Sequence, residues 1–203
     1  QRAQRGEPHR AQMRRAGACV AAALLAPLAA CAAAAPLQAV SVAPDVWFVQ
    51  GDSALGSAAN RNFISNAAFV VTPAGVLVVD ALGSPALAEE LITAIRRVTP
   101  QPIRVVVVTH YHADHVYGLQ AFKAAGARIV AHGAGREYLA SDAAQRRLEA
   151  SRQELYPAVD ERTRLVEADE WLAAADRSIE LGGKTFHIRH VGPAHTPEDL
   201  VVY

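Results

Sequence analysis

His110-Tyr111-His112-Ala113-Asp114-His115 follows directly on Val105-Val106-Val107-Val108-Thr109. A continuous apolar run of this kind suits a strand buried on both faces, with helices flanking its sheet. The polar hexapeptide then begins beyond the carboxyl end of a buried strand, where sites in α/β sheets gather. His110 and His112 are two apart, so an extended segment points both imidazoles to the same side. Asp114 continues that spacing, and His115 is offset by one. Such a loop can aim two imidazoles at one metal ion and an Asp–His pair at a neighbouring one. Imidazole nitrogens and carboxylate oxygens at about 2.0–2.2 Å suit Zn2+. Two such ions a few ångströms apart share one water or hydroxide. A lone surface histidine has no such meaning, but three His and one Asp in one hexapeptide are poorly explained as solvated loop residues.

Working outward, Val40–Val42 and Val46–Val49 read as the first strands, broken at Pro44-Asp45, and Gly51–Asn62 as a flexible loop. Asn66–Val71 and Gly75–Val79 form a hairpin around Thr72-Pro73-Ala74-Gly75, with Asp80 after the second strand. Ser84-Pro85 places a cap and a first-turn proline on a helix running to about Val98. The spacing predicts a short helix over about Val116–Ala125, a strand at Arg128–Ala131 and a polar helical region over Ala134–Leu155. Ser178–Leu181 and Lys184–Val191 form a second hairpin around Gly182-Gly183, and Leu200–Tyr203 opens one more strand. Strands, then β-helix-β alternation, then strands again indicate an α/β layered fold with mixed sheets.

The chain has 203 residues, enough for one domain, with 51% apolar and 20% charged side chains, which argues against disorder. Residues 1–31 hold five Arg and one Glu, so the rest of the chain carries a net charge of −4 and no basic patch that would suit nucleic acid. Both cysteines, Cys19 and Cys31, lie in the N-terminal apolar segment. The body therefore has no disulfide framework and no thiolate for a metal, which leaves His and carboxylates as ligands. Met13-Arg14-Arg15 and the Ala/Leu-rich run through Ala35 describe a secretory signal, too short and too broken at Pro27 for a permanent span. Residues 1–12 read as an upstream extension. Leu28-Ala29-Ala30-Cys31 resembles a bacterial lipobox, whose cysteine is lipid-modified; ordinary cleavage near Ala32–Ala39 is the alternative. The expected organisation is thus a leader over residues 1–35 and one domain over 36–203, in an exported protein that is periplasmic or lipid-anchored at Cys31.

HxHxDH followed by Gly118 resembles the signature of the metallo-β-lactamase superfamily. Gly75-Val-Leu-Val-Val-Asp80 is similar to the family's preceding strand and acidic residue, and Gly192-Pro193-Ala194-His195-Thr196 to its later histidine segment. The resemblance covers roughly Val42–Tyr203 and implies a four-layer αββα sandwich. It implies that His110, His112 and His195 hold a first Zn2+, that Asp114 and His115 hold a second, and that Asp80 stands behind them and orients the loop. The family's domain continues beyond this point with a bridging Asp and a last His, so the resemblance implies a domain incomplete at its C-terminus. The implied activity is zinc-dependent hydrolysis of a small-molecule substrate, a β-lactam, ester, lactone or thioester, with Asp114 managing the proton of the attacking water. Gly-Pro-Ala-His-Thr-Pro-Glu-Asp and Asn-Phe-Ile-Ser-Asn are similar to exported SoxH-like and quinoprotein-associated zinc hydrolases. A class B β-lactamase proper, or a non-catalytic zinc-binding periplasmic protein, are the other readings. His132 reads as structural or surface, His187 and His190 face opposite sides of a strand, and Asn62, Asn66 and Tyr117 are weak pocket candidates. Arg146, Arg147, Glu149, Arg152 and Glu154 read as a solvated helix face.

The leader reading is testable by fatty-acid labelling and fractionation. Wild type should carry label and sediment with membranes, and Cys31→Ser should lose the label. An unlabelled, soluble periplasmic wild type rejects lipidation, and a cytoplasmic protein retaining Met13 rejects export as well.

Overall fold

The computed structural model describes residues 36–173 and 176–203. The leader and Cys31 lie outside the described residues. Among the described residues, no helix is long and apolar enough to cross a membrane.

Strands β1 (Val40–Ala43), β2 (Val46–Val49), β3 (Ala67–Thr72) and β4 (Gly75–Val79) pair antiparallel in chain order. From β4 onward the sheet turns parallel, through β5 (Ile103–Val107), β6 (Arg128–His132) and β7 (Glu170–Leu172). The result is one seven-stranded sheet in the order β1 to β7. Helix α1 (Pro85–Val98) makes the crossover from β4 to β5. Its Ser84 cap accepts from the Leu87 N–H, and Leu87, Leu91, Ile92 and Ile95 form its buried stripe. Between β5 and β6 run α2 (Ala113–Val116) and α3 (Leu119–Ala124), and between β6 and β7 run α4 (Ala134–Leu139) and α5 (Asp142–Glu154). A second, antiparallel sheet in the order β10-β9-β8 comprises β8 (Asp176–Leu181), β9 (Lys184–His190) and β10 (Leu200–Val202).

The side-chain period of two sorts the large sheet's residues onto two cores. Val76, Val78, Val106 and Ile129 join Leu87, Leu91, Ile95, Leu119 and Phe122 beneath the helices. Leu77, Val105, Val107, Val130 and Leu172 join Ile179, Phe186, Ile188 and Leu200 of the small sheet. β5 is therefore buried on both faces, as its apolar run requires. The mixed α/β architecture is the expected one, and three of its four layers are present among the described residues: helices, large sheet and small sheet.

Two local expectations are corrected, and one strand is added to those expected. The helix after the histidine loop starts at Ala113, not near Val116, and is split in two before Leu119. The polar helical region is also two helices, because Ser141 adopts an extended backbone and caps a new start by accepting from the Ala144 N–H. β7 is a three-residue strand, too short for a side-chain period, and it exists through parallel pairing with β6.

Gly118 lies where the histidine loop meets the loop after β4. Its N–H donates to the Leu82 carbonyl, and the Ala81 N–H donates to the His115 carbonyl at 2.9 Å. A Cβ on Gly118 would run into the Ala81 carbonyl oxygen and reach 2.6 Å from the Ala88 side chain. Gly118→Ala should therefore destabilise the fold by about 1–3 kcal/mol through overpacking, read as a lowered denaturant midpoint. An unchanged midpoint would show that these two loops are not locked together.

Candidate metal centre

The site begins with Asp80, at the end of β4. Its backbone is left-handed, with φ 65. Its carboxylate accepts the Thr109 N–H at 2.8 Å and the Thr109 hydroxyl at 2.8 and 3.0 Å. The same carboxylate lies 2.8 Å from His115 Nδ1. Because the Thr109 hydroxyl is committed to Asp80, the His110 Nδ1–H donates to it, at 3.0 Å. His110 Nε2 is then left with a free lone pair, buried and without a hydrogen-bond partner among the described residues. Burial, then the neighbouring His115 ring, lowers the His110 pKa to about 4, so the ring is neutral.

The chain is extended through His112, at φ −78 and ψ 150, and then turns into α2. Asp114 does not continue the two-residue alternation, as the spacing suggested. It lies in a single helical turn beside His115, with Asp114 Oδ2 3.2 Å from His115 Nε2. Burial works against charge on His115, but hydrogen bonds with Asp114 and Asp80 outweigh it and raise its pKa to about 10. Burial likewise favours neutral Asp114, but the His115 hydrogen bond and charge hold its carboxyl below the usual carboxylate range. A protonated His115 thus bridges the two carboxylates.

His195 comes from the loop between β9 and β10. Three bonds close that loop: Val191 N–H to Asp199 carbonyl, Leu200 N–H to Thr109 carbonyl, both 2.9 Å, and His190 Nε2–H to Pro197 carbonyl at 2.7 Å. The bond to Thr109 joins the small sheet to the strand end that carries His110. The rings of His110, His112 and His195 lie 4.7–4.9 Å apart, centroid to centroid. One ring nitrogen from each falls within 4.8 Å of the others. His195 Nε2 and His112 Nδ1 are 3.0 Å apart, close to the separation of about 3.3 Å that two nitrogens have on tetrahedral zinc.

These three side chains fit a zinc ion. An unpaired buried nitrogen costs about 1–3 kcal/mol, and a metal at the ring intersection would satisfy His110 Nε2. Asp114 and His115 stand beside it, with His110 and His115 ring centroids 4.1 Å apart. The structure thus brings together His110, His112 and His195, with Asp114, His115 and Asp80 adjoining.

Several contributors were not legible in the sequence. Thr109 couples Asp80 to His110, and the Ser65 hydroxyl donates to the Asp114 carbonyl. Asp199 accepts from the N–H groups of His195 and Thr196. Buried Glu198 accepts from the Tyr111 N–H. A cleft of about 470 Å3 opens beside the histidines, lined by Leu55, Asn62, Ile64, His112, Asp114 and Arg147 among others. Arg147, read as part of a solvated face, is thus also a cleft residue. Asn66 instead holds the Gly51 N–H, and Tyr117 is a core residue bonded to Ser151. His187 is exposed and stacks on Tyr203. His190 stacks on His132 at 3.8 Å, joining the ends of β9 and β6.

The curated linear primary-alkylsulfatase of a Pseudomonas species is 32% identical over 53 residues, which is 26% of this chain and 10% of that protein. A metallo-beta-lactamase from Pontibacter korlensis superposes with a TM-score of 0.60 at 22% identity, over 82% of this chain and 66% of that one. A mono-zinc metallo-beta-lactamase from Pseudomonas aeruginosa gives 0.60 at 20%, over 83% and 65%. A stereoselective inverting sec-alkylsulfatase from Pseudomonas gives 0.60 at 17%, over 82% and 29%. The chain therefore spans under two thirds of the length of several of these proteins, and the structural likeness is one of fold. Residues 60–203 match the family model described as the metallo-beta-lactamase superfamily, so the chain belongs to that superfamily.

Proposed function

We propose that this protein is a zinc-dependent hydrolase of a small-molecule ester, lactone, thioester or β-lactam, acting at the three-histidine centre. The observation that carries this reading is the convergence of His110, His112 and His195 around an unpaired buried nitrogen, beside an ionised Asp114. When bound, zinc supplies Lewis acidity and lowers the pKa of a coordinated water towards neutrality. Asp114 lines the cleft and takes the proton of the attacking water, then returns it to the leaving group. His115, fixed through Nδ1 by Asp80, presents Nε2 to the same place and completes a second ligand pair with Asp114. The cleft wall of Leu55, Ile64 and Leu155 suits an apolar substrate portion, and Arg147 suits an anionic one.

A sulfate ester is the second reading. It rests on the segment shared with the linear primary-alkylsulfatase. The same nucleophile and the same cleft serve either electrophile, and substrate panels separate the two.

Removing one imidazole should empty the centre. His112→Ala and His195→Ala are each expected to lose most of the zinc from that site, by elemental analysis after equilibration with a weak chelator. Full zinc retention in either variant overturns the ligand assignment. In wild type, excess strong chelator should lower Tm, since the metal stabilises the native state by mass action.

Asp114→Asn keeps the size of the side chain and removes its charge. The three-histidine site should stay occupied, while turnover falls about 10²–10⁴-fold. The assay is hydrolysis of a panel of β-lactams, lactones, thioesters and alkyl sulfates at controlled zinc. Wild-type turnover by Asp114→Asn rejects the proton role. A zinc-loaded wild type that hydrolyses nothing in the panel favours a metal-binding protein without catalysis.

A further inference from the structure

Glu198 and Asp199 are consecutive carboxylates at the end of the His195 loop, and they reach in different directions. Asp199 turns back on its own loop. One of its oxygens accepts the N–H groups of His195 and Thr196, and the other accepts the Thr196 hydroxyl at 2.6 Å. Glu198 crosses to the other ligand loop. Its Oε1 accepts the N–H of Tyr111, the residue between His110 and His112, at 3.2 Å. Glu198 is only 6% exposed. A carboxylate is a costly choice at such a position if filling space were its only role, because removing it from water disfavours its charge. Its partner is a backbone group held between two metal-facing imidazoles.

Together the two side chains connect the backbone of both ligand loops. The peptide of Tyr111 sets the angle between the His110 and His112 rings, and the peptide of His195 sets where the third ring enters. We propose that Glu198 and Asp199 are positioning residues that hold the two loops at the spacing at which three imidazoles meet on one ion. The proposal rests on the reading of His110, His112 and His195 as a zinc centre. In an open, half-exposed site such groups limit how far the ligands relax when the metal leaves, and so raise affinity without touching the ion.

The test uses zinc affinity by chelator competition, and the visible absorption of the Co2+-loaded protein as a report on ligand geometry. Glu198→Ala and Asp199→Ala should each weaken zinc binding about 10–100-fold and alter the Co2+ spectrum. Glu198→Gln and Asp199→Asn keep an acceptor oxygen in place and should restore most of the affinity and the spectrum, a rescue that loss of packing alone would not require. If an Ala variant does not fold, Glu198→Asp, which shortens the reach to Tyr111, and Thr196→Val, which withdraws a donor from Asp199, take its place with the same expectation. Wild-type affinity and spectrum in the Ala variants, or in these substitutes, overturn the positioning role while leaving the metal centre standing. Equal weakening in the Ala and amide variants overturns the acceptor role. A wild type that binds neither ion removes the metal centre, and this proposal with it.

Discussion

The carboxylate of Asp80 is the constraint on which the rest of the site depends. It ends β4, accepts both polar hydrogens of Thr109 at the end of β5, and holds His115 by Nδ1. Burying a carboxylate is costly unless it is hydrogen-bonded, and here its partners lie on one strand end and one helical turn. Its left-handed backbone, at φ 65, costs on the order of 1–2 kcal/mol for a residue with a Cβ. Three strong acceptor contacts offset that cost. They also fix two rings, since Thr109 is driven to take a hydrogen from His110 Nδ1 while Asp80 takes one from His115 Nδ1. His110 is left with a free Nε2, and His115 turns its Nε2 towards Asp114.

The second requirement is that a distant loop reach the same spot. The two sheets meet through Leu77, Val105, Val107, Ile179, Phe186 and Ile188. That apolar contact sets the distance between β5 and β9, and the Leu200-to-Thr109 backbone bond refines it at the site itself. The His132–His190 stack adds a third tie, between the ends of β6 and β9. Packing of ordinary Val, Ile and Phe side chains thus decides whether three imidazoles can share an ion.

Much of this was legible because it rests on local rules. The apolar run 105–108, the cap-and-proline pair at Ser84-Pro85 and the turns at Thr72–Gly75 and Gly182-Gly183 each specify their element within a few residues. The hexapeptide 110–115 announced itself by density of His and Asp. What sequence could not show is tertiary in origin. The helical turn at Ala113 arises where the loop docks on Ala81, and the short β7 exists through its pairing with β6. Thr109, Ser65 and Glu198 gain their roles from partners 29, 49 and 87 residues away. A Thr or Glu alone carries no such signal. His190 was read correctly as lying on the opposite strand face to His187, but nothing in its neighbours pointed to His132.

The wide separation of the histidines has a consequence for the unfolded chain. His112 and His195 are 83 residues apart, and closing a loop of that length in a disordered polymer costs about 4 kcal/mol of entropy. His110, His112 and His115 need no such closure; they are neighbours in any conformation. The denatured chain would therefore offer a metal a weak, incomplete set of donors. Metal bound there stabilises the wrong state, and only the affinity added by the third, distant ring counts towards the native one. A metal ion held by these three histidines would report finished assembly more than seed it, since the third ring arrives only after both sheets have docked.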